Sequence, residues 1–415
     1  VTGIWQTVWL EGAGRAMLKS VRVSTQLQPP SVTLAPVLDG GRGDEILHIE
    51  IFDPQGRPCG GASLAGEEIS AGAAVPLKEV YPWSPEQPHL YRVVYTLSVG
   101  EELQDRVESY FGLREISIEG NRIFLNGKPL YQKLLLNQGY YPRGHYTAPD
   151  DQTLRRDVEM VKEMGFNGVR MHQKVEEKRF LYWCDTLGLL VWGEMPSFYW
   201  PTRRARAAFF RQWREMLERD CNHPCLIAWV PFNESWGIFD LFWRKSARRF
   251  VREVAAFTRS FDPTRLLVDN SGCDHIDTDI ADVHHYLSTV EKSRRLYRDL
   301  KRGRRMKYGL FSYLFNLVFG TVAIHKRVMA PGSAYAGQPV IISEYGGFGF
   351  YRTRGDKGLA ENFAQYTAAI QEEDWICGYC YTQQYDVEHE QNGLLTFERA
   401  YKIAPEVIAA VNSRK

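Results

Sequence analysis

The rhythm of apolar residues changes once along this chain, and that change constrains the fold more than any other feature. Up to about Gly112, apolar positions recur at every second residue. The run Tyr91-Arg92-Val93-Val94-Tyr95-Thr96-Leu97-Ser98-Val99 keeps that period throughout, and residues 46–52 keep it in part. Side chains alternate between the two faces of a strand, so this period predicts half-buried strands. Turn-forming clusters such as Asp53-Pro54-Gln55-Gly56 and Tyr81-Pro82-Trp83-Ser84-Pro85 lie between them. Short strands with frequent turns predict a β-sandwich of about 100 residues. Asn126-Gly127, inside residues 122–128, then predicts a tight hairpin turn.

From about Pro129 onward, apolar runs of strand length alternate with helical patterns. The strand candidates are residues 134–136, 167–172, 189–194, 226–232, 266–270, 282–286, 339–343 and 378–381. A helix over 151–164 carries Leu154, Val158, Val161 and Met164 on one face, with Gly165 where a helix C-cap is wanted. Eight such units fit a closed (β/α)₈ barrel better than an open sheet. One connection, between Tyr286 and Pro339, is too long for an ordinary crossover. It holds a basic stretch, 291–307, and an apolar one, 310–319. A membrane-surface helix or an oligomer contact is one reading. A solvated helix followed by a helix packed on the barrel is the favoured one.

The chain has 415 residues, enough for two or three domains that bury their own cores. Its formal net charge is +1, which gives no electrostatic case for a nucleic-acid partner. No apolar run reaches the ~18 residues of a membrane span, and no secretory leader pattern opens the sequence. The seven cysteines form no regular framework. Cys221 and Cys225 flank His223, but buried reduced thiols are the better reading than zinc, which suits a reducing, cytoplasmic compartment. Aromatic residues reach 13%, a wealth that fills cores and also suits stacking on flat sugar faces.

A barrel presents its reacting residues at the C-terminal ends of its strands. There stand Arg170 and His172 (second strand), Glu194 (third), Asn233 and Glu234 (fourth), His284, His285 and Tyr286 (sixth), Glu344 (seventh), and Gln383 (eighth). Carboxylates on strands four and seven face each other across a barrel mouth. A separation of about 5 Å would suit retaining glycoside hydrolysis, in which one carboxylic acid protonates the leaving oxygen and the other carboxylate attacks the anomeric carbon. His172, His284 and His285 lack metal-ligand spacing, so they read as hydrogen-bonding groups, and no metal is expected.

Several of these segments, in this order, resemble glycoside hydrolase family 2, the β-galactosidase and β-glucuronidase family. Asn222-His223-Pro224 through Trp229 to Asn233-Glu234-Ser235-Trp236 is similar to its acid/base signature. Residues 168–172 resemble its second barrel strand, and Ser343-Glu344-Tyr345-Gly346 its nucleophile strand. Residues 81–91 resemble its immunoglobulin-like sandwich. Gly3-Ile4-Trp5 is similar to the last strand of its N-terminal jelly-roll sugar-binding domain. The resemblance implies that strand within 1–20, an immunoglobulin-like β-sandwich over 21–113, and a catalytic (β/α)₈ barrel over 114–415. It implies a retaining exo-β-glycosidase with Glu234 as acid/base and Glu344 as nucleophile. Asn233 would hold the sugar's 2-hydroxyl. Arg170 and His172 would support the nucleophile and the −1 sugar, and Tyr286 would sit near the nucleophile. Glu194, His285 and Gln383 complete the expected substrate-binding set. No organic cofactor is implied, the partner is a carbohydrate, and a homo-oligomer is compatible. The third strand ends in Gly193-Glu194-Met195-Pro196 rather than the family's more usual acidic pair. The magnesium-binding His and Glu of the large β-galactosidases have no clear counterparts. The Asn-x-Lys pair that reads a uronic carboxylate is absent after Glu344, where Arg352, Arg354 and Lys357 stand unmatched. The expected substrate is therefore a β-galactoside, with β-glucuronide as the alternative and a non-catalytic sugar-binding fragment behind both.

Overall fold

The computed structural model describes residues 3–304, 306, 327–349 and 358–415. Seven strands make the first domain: β1 (Met17–Leu27), β2 (Pro30–Asp39), β3 (Glu45–Phe52), β4 (Pro58–Ala65), β5 (Ala73–Pro76), β6 (Tyr91–Val99) and β7 (Glu102–Phe111). They form two antiparallel sheets, β1-β2-β5 and β4-β3-β6-β7. Alternation along β3 and β6 places Leu47, Ile49, Ile51, Tyr91, Val93, Tyr95 and Leu97 in the shared core, with Val32 and Leu34 facing them from β2. This is the sandwich expected from the period-two pattern.

A small antiparallel sheet follows, of β8 (Ile116–Glu119), β9 (Arg122–Leu125) and β10 (Lys128–Pro129). Asn126 and Gly127 turn the β9–β10 hairpin with φ of 53° and 72°, the left-handed pair that a two-residue hairpin loop requires.

Eight parallel strands build the second domain: β11 (Gln132–Asn137), β12 (Gly168–Met171), β13 (Leu190–Glu194), β14 (Leu226–Val230), β15 (Leu266–Leu267), β16 (Ala281–His284), β17 (Val340–Gly346) and β18 (Ile376–Thr382). Their order is β15-β14-β13-β12-β11-β18-β17-β16, the cyclic succession of a (β/α)₈ barrel. Between β15 and β16 the closure runs through the strand ends. His284 N–H donates to the Gly272 carbonyl (3.3 Å), while Ser271 Oγ and Gly272 N–H donate to Asp282 (2.5 and 3.0 Å). Gly272 has φ of +93°, and a Cβ there would lie 2.4 Å from the His284 ring, so only glycine lets that ring pack at the closure.

The two domains meet through buried polar contacts. Arg114 donates to the carbonyls of Pro224, Thr264 and Leu226 (3.1, 2.7 and 2.8 Å), and Trp83 Nε1 donates to the Asp185 carbonyl (2.8 Å). Asn222 Oδ1 accepts from Val23 N–H (2.9 Å), and the Tyr110 hydroxyl donates to Asp185 (2.8 Å) and lies 3.4 Å from His223 Nδ1. The front half of the segment read as an acid/base signature is thus interface, at the opposite end of β14 from Glu234. The seven cysteines are all buried and none forms a disulfide.

The expected strand at residues 3–10 is not formed. This segment crosses the barrel as irregular chain. Trp5 packs on Tyr146, with centroids 5.4 Å apart, and Gln6 Nε2 donates to the Val175 carbonyl (3.1 Å). Among the described residues it joins no sheet, and Ile4 and Leu10 stay exposed. The basic stretch enters the described structure mainly as the helix Val290–Lys301, which buries Ser293, Leu296, Tyr297 and Leu300 and turns its cations outward. The apolar stretch 310–319 lies outside the described residues. Among those described, no helix is long and apolar enough to cross a membrane.

Candidate active site

Strand alternation decides which residues face the barrel axis. On β12 it turns Arg170 inward, fully buried, and its guanidinium organises the mouth. Nη1 donates to Glu344 Oε1 (2.6 Å), Nε to Glu194 Oε2 (2.8 Å) and Nη2 to Asn233 Oδ1 (2.8 Å). Asn233 therefore presents its amide N–H groups elsewhere. Burial opposes the charge of Arg170, but Glu194 and Glu344 more than offset this and hold it firmly protonated.

Glu344 stands on β17 beside its register partner His284 on β16. Its second oxygen accepts the Tyr286 hydroxyl. Burial pushes its carboxyl up, as does Glu234, but His284, Arg170 and His172 pull it down by more, so its pKa lies below the ordinary glutamate value. His284 Nδ1 is 3.2 Å from Glu234 Oε1 and 3.5 Å from Glu344 Oε1. Carboxylate oxygens of Glu234 and Glu344 and a ring nitrogen of His284 all lie within 4.8 Å of one another. His172 Nδ1 is 3.3 Å from Glu194 and 3.9 Å from Glu344. Burial pulls its pKa down and Glu194 raises it by more.

The turn that presents Glu234 is strained. Glu234 and Ser235 have φ of 51° and 64°, a left-handed conformation that side-chain-bearing residues rarely adopt. Four hydrogen bonds hold them there. Glu234 N–H donates to the Ser271 carbonyl (2.9 Å), Ser235 N–H to Asn270 (2.8 Å), Ser235 Oγ to Asp274 (3.0 Å), and Trp236 N–H back to the Asn233 carbonyl (3.0 Å).

The Glu234–His284–Glu344 group is compact enough to hold a metal ion. Yet both oxygens of Glu344 are engaged by the donors of Arg170 and Tyr286, which suits proton and nucleophile chemistry better than a cation.

The barrel, residues 116–397, matches the family model described as "Glycosyl hydrolases family 2, TIM barrel domain", and residues 43–114 match "Glycosyl hydrolases family 2". The chain belongs to glycosyl hydrolases family 2. Curated relatives within family 2 include a β-galactosidase of Thermoanaerobacter pseudethanolicus, 28% identical over 58% of this chain and 34% of its own length. A β-glucuronidase of Streptococcus agalactiae is 23% identical over 78% of this chain and 53% of its own. The matched part of this chain thus spans a third to a half of those relatives. In fold it is similar to an FMN-binding β-glucuronidase from Facaelibacterium prausnitzii, with a TM-score of 0.76, 17% identity, and coverage of 97% of this chain and 62% of that one. The β-glucuronidase of Dictyoglomus thermophilum gives 0.75, 18%, 97% and 69%.

Of the residues expected at this family 2 site, Glu234, Glu344, Asn233, Arg170, His172 and Tyr286 converge. The other three are engaged by partners of their own. Glu194 is fully buried, with Oε2 taken by Arg170 and Oε1 by Gln173 N–H (3.1 Å), so it positions the arginine. His285 points outward to Tyr297 (2.8 Å), because neighbours in a strand face opposite sides. Gln383 is tied to Gln138 (2.7 Å) and Asn392 (2.8 Å) within the loops around β18. The inward histidine is His284, and beneath it lies Asp282. Asp282 also accepts from the hydroxyl of Ser343, the residue before Glu344, and contacts the buried His275 (3.1 Å). Parity along β16 was the available signal, since Asp282, His284 and Tyr286 are two apart and must share a face.

Proposed function

We propose that this chain is the catalytic part of a retaining exo-β-glycosidase acting on terminal β-linked sugars, with β-galactosides as the substrate class. The observation that carries the reading is that a carboxylate oxygen of Glu234 lies within 4.8 Å of one of Glu344. Retaining enzymes hold the pair at about 5–5.5 Å, whereas inverting ones leave about 6.5–9.5 Å for a water.

The roles follow from the environments. Glu344 is held ionised by Arg170, His172 and His284, so it attacks the anomeric carbon. The glycosidic bond breaks as Glu234 gives its proton to the departing oxygen, leaving a glycosyl ester on Glu344. That ester has no charge to repel a carboxylate at Glu234. Glu234 then takes a proton from water, whose oxygen displaces Glu344 with a second inversion, and the β-configuration is restored. Asn233, fixed through Oδ1 by Arg170, donates its amide to the 2-hydroxyl. The Arg170 and Tyr286 donors receive the charge that returns to Glu344 at each departure.

The preference for galactosides rests on the missing Asn-x-Lys pair. The β-galactosidases among the curated relatives agree with it, and the β-glucuronidases keep glucuronide as the second substrate. Nitrophenyl β-galactoside, glucoside, glucuronide, mannoside and fucoside, compared by kcat/KM, test the choice. Galactoside should lead. A glucuronide preference would replace the substrate and keep the mechanism, while inactivity on every member would remove the reading.

A further inference from the structure

Glu234 takes its direction from a loop that belongs to another strand. Neighbouring residues of an extended chain face opposite sides. Asn233 reaches the buried Arg170 with its Oδ1 (2.8 Å), so an extended backbone at 234 would turn the next side chain away from the mouth. The left-handed backbone at Glu234 and Ser235, with φ of 51° and 64°, brings both Asn233 and Glu234 to it, and a Glu234 oxygen comes within 4.8 Å of Glu344 and His284. One such residue is uncommon in a chain, and two in succession persist only where surrounding groups over-determine the backbone.

Those groups stand on the loop that follows β15. Asn270 Oδ1 accepts the Ser235 N–H (2.8 Å), and Asn270 Nδ2 donates to Ser235 Oγ (3.0 Å) and to the Cys273 carbonyl (2.6 Å). Ser235 Oγ donates in turn to Asp274 Oδ2 (3.0 Å). The hydroxyl is thus fixed twice, once as acceptor and once as donor. Ser235, Asn270 and Asp274 are all buried. The bracket has a firm seat of its own. Asp274 is left-handed too, at φ of 54°, and its N–H donates to the Arg327 carbonyl (2.7 Å), while the His275 N–H donates to the Val328 carbonyl (2.8 Å). These carbonyls lie on the segment that leads into β17, the strand that carries Glu344. Glu344 itself is held separately, by Arg170 and the Tyr286 hydroxyl.

We propose that Asn270 and Asp274 are positioning residues for the acid/base. Through Ser235 they hold the left-handed turn that aims the Glu234 carboxyl at the leaving oxygen, and they act on proton transfer rather than on nucleophilic attack. This rests on the glycosidase reading above and adds the residues that make Glu234 an effective acid. The test uses two β-glycosides of the sugar that the nitrophenyl panel selects. The dinitrophenyl glycoside departs with little acid help, and the phenyl glycoside needs it. The readout is the ratio of kcat/KM for phenyl over dinitrophenyl. Partial unfolding lowers both constants alike and leaves the ratio where it was. In Asp274→Ala the ratio should fall about tenfold or more, since a misplacement of ~1 Å can cost ~10²-fold. Asp274→Asn keeps an acceptor oxygen for Ser235 and should restore most of the ratio. Ser235→Ala removes the hydroxyl and keeps a Cβ in the left-handed region, so its ratio should fall as in Asp274→Ala, and it carries the test should Asp274→Ala not fold. Ser235→Gly adopts that backbone without strain and should fall less. A ratio unchanged in the two alanine variants overturns the proposal, whatever the melting temperatures do. So does a fall in Asp274→Asn as large as in Asp274→Ala, because the charge at 274 and not the bond to Ser235 would then matter. If the unaltered chain cleaves both glycosides and the ratio holds in every variant, the glycosidase reading stands and the bracket falls; if it cleaves neither, both fall.

Discussion

Arg170 Nη1 lies 2.6 Å from Glu344 Oε1, and this contact is the link between the buried frame of the barrel and its reacting mouth. The arginine is clamped from below by Glu194 and reaches Asn233 with its remaining nitrogen. One planar cation therefore sets the positions of Glu344 and Asn233, the proposed nucleophile and sugar-binding amide, and the charge of the site. A lysine could supply the charge but not the planar fork that reaches three separated acceptors.

Arg170→Lys should lower kcat/KM about 10²–10³-fold, the scale seen when one preorganised donor to a developing charge is lost. The pH profile carries a second signature. Glu344 is held below its ordinary value, so the protein should keep an ionised nucleophile as pH falls through the usual glutamate range. With the guanidinium gone, the acid limb of kcat/KM should move to higher pH. An activated aryl glycoside, cleaved with little acid help, reads that limb cleanly.

Glu234 and Glu344 carry the same functional group and should fail differently. In Glu234→Ala, azide should restore turnover and give the β-glycosyl azide, because a small anion can stand where the activated water stood. In Glu344→Ala it should give the α-azide, by entering from the emptied nucleophile side. Glu234→Ala should also spare aryl glycosides relative to substrates with poor leaving groups. NMR of each product decides, and reversed configurations would reverse the roles.

The neighbouring histidines on strand six should separate activity from stability. His284→Gln removes the ring between the two carboxylates and should cut kcat about 10²-fold or more with little change in melting temperature. His285→Gln disturbs a buried contact with Tyr297 and should cost about 1–3 kcal/mol while largely preserving kcat. Parallel kinetics and denaturation of the two variants check this.

Beneath the site, His275 sits fully buried between Asp269 (2.8 Å) and Asp282 (3.1 Å). Burial pulls its pKa down, but hydrogen bonds to both carboxylates raise it by more, to about 10. A raised histidine stabilises the fold fully below its unfolded value of about 6.5, and that contribution is lost as pH rises toward 10. Urea denaturation should therefore show stability declining across that window. His275→Gln should remove that part of the slope and cost about 3–5 kcal/mol at neutral pH, since two buried carboxylates lose their cation.

What the sequence determined by itself is everything carried by local periodicity and local order. Period two before Gly112 specifies the sandwich, and the eight apolar runs coincide with the eight barrel strands. The strand ends that carry Arg170, Glu234 and Glu344 were readable because a parallel barrel collects all such ends on one face. Asn126-Gly127 was readable because its backbone conformation is intrinsic to those two residues. Tertiary structure decided which way each of those end residues points and what it is spent on. His284 and His285 are neighbours in sequence, and only the pitch of strand six against strand seven turns the first toward the carboxylates and the second toward a helix. Glu194 and Gln383 stand at the right ends but are consumed by Arg170 and by Gln138 with Asn392, partners 24 and 245 residues away or set in a folded loop. Residues 3–10 read as a strand through the family resemblance, yet a strand needs a ladder of bonds between two backbones, and here Gln6 reaches the Val175 carbonyl with its side chain while Trp5 packs on Tyr146. Periodicity is a property of the chain, whereas the partner of a buried polar group is a property of the whole fold.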